Sequence, residues 1–157
     1  MTMAKSTYLP RDFTAELVLA ARTWRRMTRA VTMRFGIAEA GAAPLLWIGR
    51  LGEGVRQNIL AERIGVEGAS LVRVLDDLAA AGLISRKPDP TDRRANLLHL
   101  TERGRTLTGE VEAELNELRA RVFGDLDAAD IAAAQRVIAA IKAGGRHVPT
   151  AAAELVD

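Results

Sequence analysis

The chain has 157 residues, 48% of them hydrophobic and 27% charged, with a formal net charge of +2; this fits one folded domain, or a small module sharing its core with an association element. It has no cysteine, which excludes disulfides, zinc ribbons and thiol redox sensing, and no apolar run approaches the roughly 18 residues of a membrane span. Aromatic residues make up only 4%, so Leu, Val, Ile and Ala must build the core, a composition that leans towards helix.

The opening MTMAKSTYLPRDF has no apolar stretch of the signal-peptide kind, and a cytoplasmic location is expected. Charge is unevenly spread. Residues 1–35 carry seven basic side chains against two acidic, and 86–94 (RKPDPTDRR) carry four against two, whereas 102–157 carry ten acidic against seven basic. Basic segments beside an acidic tail are a modest pointer to nucleic acid.

Residues 11–35 read as a long amphipathic helix, because Phe13, Leu17, Ala20, Trp24, Met27, Val31 and Phe35 recur at spacings of three and four. Arg22, Arg25, Arg26 and Arg29 lie mostly off that stripe, and Gly36 is a stop. A second helix covers 39–51 around Leu45, Leu46, Trp47, Ile48 and Leu51, with Pro44 in its first turns, and GEG at 52–54 is a turn. Two short helical patterns follow, 57–64 (QNILAERI) and 68–82, separated by Gly65-Val66 and ended by Gly82. Residues 83–87 form a short strand; 88–92 (PDPTD) can be neither helix nor central strand; and 95–100 return as the partner strand of a hairpin with a charged tip. Thr101 caps a long helix to about Phe123, in which Gly104 costs about 1 kcal/mol of propensity unless packing requires it. Asp127 caps a final helix over 128–143, and 146–157 read as a flexible tail.

Two short helices around a glycine turn have the form of a helix-turn-helix. Leu60, Ala61 and Ile64 give the first an inner face, Val66 plugs the turn, and Leu71, Val74, Leu75 and Leu78 line the inside of the second. That leaves Ala69, Ser70 and Arg73, with Asp77, pointing outward. The start of such a second helix enters the major groove: small residues permit close approach, and Arg73 one turn on has the paired donors that match guanine O6 and N7. The bland alternative is a surface ion pair of Arg73 with Asp76 or Asp77. On the hairpin, Asp92, Arg93 and Arg94 form a wing tip. One guanidinium can be fixed by the carboxylate while the other reaches phosphate or a narrow minor groove; a solvated turn is the alternative.

The run AERIGVEGASLVRVLDDLAAAGLISRKPDPTDRRANLLHLTERG (61–104) resembles the winged-helix segment of the MarR regulators, most closely the SlyA branch. Its marks are ASLVRVLDDL, AGLISR, DPTDRRA and LTERG, and the order of elements across 11–145 matches as well. The resemblance implies a mainly α fold with a small β hairpin, a winged helix-turn-helix at 39–101 flanked by dimerisation helices at 11–35 and 102–145. It implies a homodimeric regulator, usually a repressor, that binds a pseudopalindromic operator in double-stranded DNA. The family's base-reading positions fall on Ala69, Ser70 and Arg73, where proline is common in place of Ala69, and its wing positions fall on Asp92, Arg93 and Arg94. Oxidant-sensing relatives use a cysteine, which this chain lacks.

The flanking helices have no duty in reading DNA, and in the family they interleave between subunits. Phe13, Leu17, Leu115, Leu118, Val122, Val137, Ile138 and Ile141 suit that role. Family members often bind small aromatic acids between the dimer helices and the reader. Arg22, Trp24, Arg26 and Trp47 could supply stacking faces and a carboxylate partner, or the tryptophans are core and the arginines solvated. No cofactor and no metal are expected. An enzyme is disfavoured because His99 and His147 have no metal-ligand spacing, no GxSxG, Walker or HExxH motif occurs, and no strand precedes the glycines of GRLGEG (49–54). The remaining rival is a winged helix used for protein–protein contact without DNA.

Overall fold

The computed structural model describes residues 12–52 and 54–145, with 93 and 94 described by their backbone alone; the expected tail at 146–157, including His147, lies outside the described residues. The elements in chain order are α1 (Phe13–Arg34), α2 (Glu39–Leu51), β1 (Val55–Arg56), α3 (Gln57–Ile64), α4 (Gly68–Ala80), β2 (Ile84–Asp89), β3 (Asp92–Leu100), α5 (Glu102–Phe123) and α6 (Ala128–Gly145). The chain divides into two compact units between Asn116 and Glu117.

In the first unit α1 packs on α2, and α2 packs on α3, α4 and β3. The core is aliphatic, as the composition requires: Leu45, Ile48, Leu60, Leu75, Leu98 and Val111 are its most buried large side chains. The sheet order is β1-β3-β2, antiparallel throughout, with Val55 opposite Leu98 and Ile84 opposite Leu100. Because β2 is an edge strand, it can contain Pro88, whose missing N–H would break a ladder bond in a central strand. The strands run two residues further towards the tip than 87 and three further than 95, leaving a turn at Pro90-Thr91. The register shifts between Pro88 and Asp89: Pro88 faces Asn96 while Asp89 faces Asp92, so residues 93–95 have no cross-strand partner.

α4 ends and α5 begins against each other. Gly82 adopts φ +68°, and the Leu83 N–H donates to the Leu78 carbonyl at 3.0 Å, a left-handed helix ending. Thr101 caps α5: its Oγ1 accepts the Gly104 N–H at 3.0 Å and donates to the Gly82 carbonyl at 2.6 Å. Gly104 is required by space, since a Cβ there would overlap the Leu83 carbonyl oxygen. Among the described residues every buried side-chain nitrogen and oxygen has a partner.

In the second unit, the Asp127 carboxylate accepts the Asp130 N–H at 2.8 Å and caps α6 as expected. Val137, Ile138 and Ile141 of α6 are exposed, as are Val122 and Phe123 at the end of α5. In the first unit Phe13, Val18, Leu19 and Met33 of α1 are exposed, while Leu17, Trp24 and Met27 are half-buried. Leu115 and Leu118, grouped from sequence with the association residues, are already buried within the single chain.

Candidate nucleic-acid interface

α3 and α4 are the two helices of a helix-turn-helix, and their junction is local chemistry. Gly65 sits at φ +79° and ψ +38°, a left-handed conformation that a Cβ would penalise. Its N–H and that of Val66 both donate to the Ala61 carbonyl. Leu60 and Ala61 turn inward from α3, and Leu71, Leu75 and Leu78 from α4. Val66 does not plug the turn. It is 42% exposed, on the residue after the left-handed Gly65, while the core of the motif is made by Leu60, Ala61, Leu71, Leu75 and Leu78.

The outer face of α4 carries Ala69, Ser70, Val72, Arg73, Asp76 and Asp77, all exposed. Among the described residues Arg73 makes no ion pair, and Asp76 is taken instead by Arg86 of β2 at 2.7 Å. The Arg73 guanidinium is therefore presented one turn into α4 with its donors unspent. The Arg86–Asp76 pair also ties α4 to the hairpin. Both partners are solvated, so its energetic contribution is small, but it occupies one of the two carboxylates that could compete for Arg73.

Asp92 is exposed at the start of β3, and Arg93 and Arg94 follow it on the strand, at the register shift. A second carboxylate at the tip, Asp89, was passed over in the sequence. Asp89 is buried. Its Oδ2 accepts Arg56 Nε at 2.7 Å and lies 2.5 Å from Arg56 Nη2 in an ion pair, and its Oδ1 accepts the Thr91 hydroxyl at 2.7 Å and the Thr91 N–H at 2.8 Å. Arg56 Nη2 also donates to Thr91 Oγ1 at 2.9 Å. The only sequence signal was Asx-turn chemistry at Asp89-Pro90-Thr91; the partner Arg56 lies 33 residues away on a strand of two residues. A neighbouring contact, Gln57 Nε2 to the Gly68 carbonyl at 3.0 Å, holds the start of α4.

The Thr91 hydroxyl and then its N–H, followed by the Arg56 bond and charge, hold the Asp89 carboxyl down from the usual 3.8 to about 2, with burial opposing them. A folded-state value below the unfolded one gives stability that is present above the unfolded value and lost as pH falls through the folded one. Wild type is therefore expected to hold a constant stability margin over Asp89→Asn above about pH 4 and to lose it between about pH 4 and pH 2. Chemical denaturation at stepped pH checks this, and a margin unchanged down to pH 2 would contradict it.

The residues expected at an effector site are not gathered into one described cleft. Arg22 and Arg26 are exposed on α1, and Trp24 is half-buried. Trp47 is half-buried on α2, with the Arg50 guanidinium 5.4 Å from its ring centroid and Arg50 itself paired to Glu112 at 2.6 Å. The described clefts lie elsewhere: about 680 Å³ beside Phe35, Gly82, Thr101 and Leu107, about 470 Å³ beside Leu46, Arg50, Leu100 and Thr108, and about 340 Å³ beside Arg56, Val72, Arg86 and Asn96.

A family model described as MarR family matches residues 44–95, from α2 to the hairpin tip. The crystal structure of the transcriptional regulator PA3341 is 31% identical, with a TM-score of 0.79, over 87% of this chain and 99% of that one. The chain belongs to the MarR family. Other MarR-like folds superpose comparably. CouR from Rhodococcus jostii RHA1, solved bound to p-coumaroyl-CoA, shares 24% identity at a TM-score of 0.77, over 87% of this chain and 95% of that one. NadR, solved in complex with 4-hydroxyphenylacetate, shares 20% at 0.74, over 89% and 97%. SlyA shares 17% at 0.73, over 85% and 93%, a likeness of fold, so the MarR assignment does not extend to its branch. Within the MarR-family chain, no helix among the described residues is long and apolar enough to cross a membrane, and no described cluster of His, Asp or Glu could hold a metal ion.

Proposed function

We propose that this MarR-family chain is a sequence-specific DNA-binding transcriptional regulator, a cytoplasmic repressor that binds a pseudopalindromic operator as a homodimer and has no enzymatic activity. The observation that carries the reading is Arg73: an exposed guanidinium without an ion-pair partner among the described residues, one turn into the second helix of the motif behind the small Ala69 and Ser70. Arg73 reads guanine in the major groove, Ala69 and Ser70 allow the helix to approach, and Asp92, Arg93 and Arg94 carry the wing contact to phosphate or minor groove. The apolar side chains left exposed on α1 and on α6 support burial against a second copy, which would set two readers about 34 Å apart on successive grooves. The motif run 61–104 favours a place beside the SlyA branch.

The ligands of CouR and NadR support a phenolic or aromatic-acid effector, which we place at Arg22, Trp24, Arg26 and Trp47; binding there would shift the spacing of the two readers.

Duplexes selected from a random-sequence pool test the reading. The protein is expected to sediment as a dimer, to recover sites with twofold symmetry, and to lose affinity steeply from 50 to 200 mM salt, by roughly 10³-fold or more if six phosphates are neutralised. 4-Hydroxyphenylacetate is expected to lower that affinity and to change the emission of the two tryptophans. A single-chain species that ignores duplex DNA at low salt refutes the reading and leaves the protein-contact alternative.

A further inference from the structure

The second helix of the motif and the hairpin tip are joined only through the length of β2, so something must set their separation in space. Here α4 and the hairpin tip are both held by consecutive residues at one place, the junction of β1 and α3. Arg56 is the last residue of β1 and the cap position of α3, in extended backbone at φ −71° and ψ 143°. From there its guanidinium reaches the wing turn, where Nε donates to Asp89 Oδ2, Nη2 makes an ion-pair contact with the same oxygen, and Nη2 donates to Thr91 Oγ1. Gln57, the first residue of α3, points its amide to the Gly68 carbonyl in the first turn of α4. The Asp89 end of the network is saturated, with both oxygens doubly engaged and the side chain 3% exposed.

We infer that Arg56 and Gln57 are positioning residues that set the wing and the recognition helix in register with each other, and that Arg56 acts through Asp89 and not on DNA. The inference rests on the DNA-binding reading above. A planar guanidinium that converges on one carboxylate oxygen and also bonds the Thr91 hydroxyl is fixed in direction as well as distance, and a buried carboxylate closed on both oxygens tolerates no rotation without leaving polar atoms unpaired. The wing is thus registered to the base of α3, instead of being a hairpin free to swing on its strands. The register shift at Pro88/Asp89 explains why an anchor is needed there: beyond it the ladder no longer aligns residues 93–95, so the turn must be held by side chains.

Two arms test this on the full chain. In the first, amide exchange is measured on Arg56→Met and Gln57→Met. Arg56→Met is expected to speed exchange at Thr91 and along the hairpin roughly tenfold to a hundredfold, leaving α2 and the body of α4 unchanged, and Gln57→Met is expected to do the same at the first turn of α4 and not at the wing. Arg56→Lys is expected not to restore the wing, because an ammonium cannot reproduce the contacts of the planar guanidinium. Unchanged hairpin exchange in a folded Arg56→Met protein overturns the inference, and this arm needs no DNA.

The second arm uses the duplexes recovered by wild type. Asp89→Asn removes a negative charge from the DNA-facing side, so simple electrostatics predicts tighter binding. An anchor predicts the opposite, because the amide keeps a single acceptor oxygen and must set its NH2 against either the Arg56 donors or the Thr91 N–H; binding is expected to weaken roughly tenfold or more, and the double variant Arg56→Met/Asp89→Asn is expected to be no weaker than the worse single. Tighter or unchanged binding by Asp89→Asn, or additive losses in the double variant, overturns the inference and makes Arg56 a direct phosphate contact. If wild type recovers no duplex, the DNA reading fails while the exchange arm still decides the anchor.

Discussion

Gly104→Ala is expected to destabilise the fold by about 3 kcal/mol, the upper range for overpacking. The same exchange on an open helix face would stabilise it by about 1 kcal/mol. The sign reverses because the added Cβ would overlap the Leu83 carbonyl oxygen, and that oxygen cannot retreat. It accepts the Thr101 N–H at 3.0 Å, while Thr101 caps α5 through Gly104 and bonds the Gly82 carbonyl. Accommodating a methyl would open the lock between the end of α4 and the start of α5. Urea denaturation of the two proteins checks the figure; a variant as stable as wild type would mean that the junction yields more than its hydrogen bonds suggest.

The second large effect is on binding. Arg73→Ala is expected to weaken a selected operator by about 1–3 kcal/mol for each guanine that is no longer read, and a twofold complex presents two such guanines. Stability is expected to stay within about 0.5 kcal/mol of wild type, as for exposed positions outside any network, because Arg73 makes no ion pair among the described residues. Arg73→Lys separates base reading from charge: it keeps the cation, so non-specific affinity and its salt slope are expected to survive, while discrimination at the guanine relaxes. Quantitative gel shifts on the selected site and on a scrambled duplex measure both. If Arg73→Ala binds the selected site as tightly as wild type, another residue reads the groove.

What could be read from the chain alone follows from how local each feature is. The bounds of α2 and α3 were visible because apolar spacing and a turn glycine mark both ends, and Thr101 and Asp127 were recognisable as caps because a cap bonds to an N–H three residues on. The aliphatic core of the motif, Leu60, Leu71, Leu75 and Leu78, followed from helical periodicity. Features that depend on distant partners were not legible. β1 has two residues, too few to show alternation, so Val55 and Arg56 were left unassigned. Asp92 drew attention by standing beside two arginines, whereas Asp89 gave no such local signal, its burial and its partner 33 positions away being visible only in the fold. Val66 failed for a related reason, since periodicity says that a side chain is apolar but not whether it lies inside.

The three-stranded sheet has another consequence, for self-association. Its two outer strands are poor templates for recruiting a further strand: one has only two residues, and the other carries Arg86 and Lys87 and then Pro88, which offers no amide hydrogen. Like charges and a missing donor are the ordinary protections against ribbon-to-ribbon growth. Fibrillar stacking of one copy on another through the hairpin is thereby disfavoured.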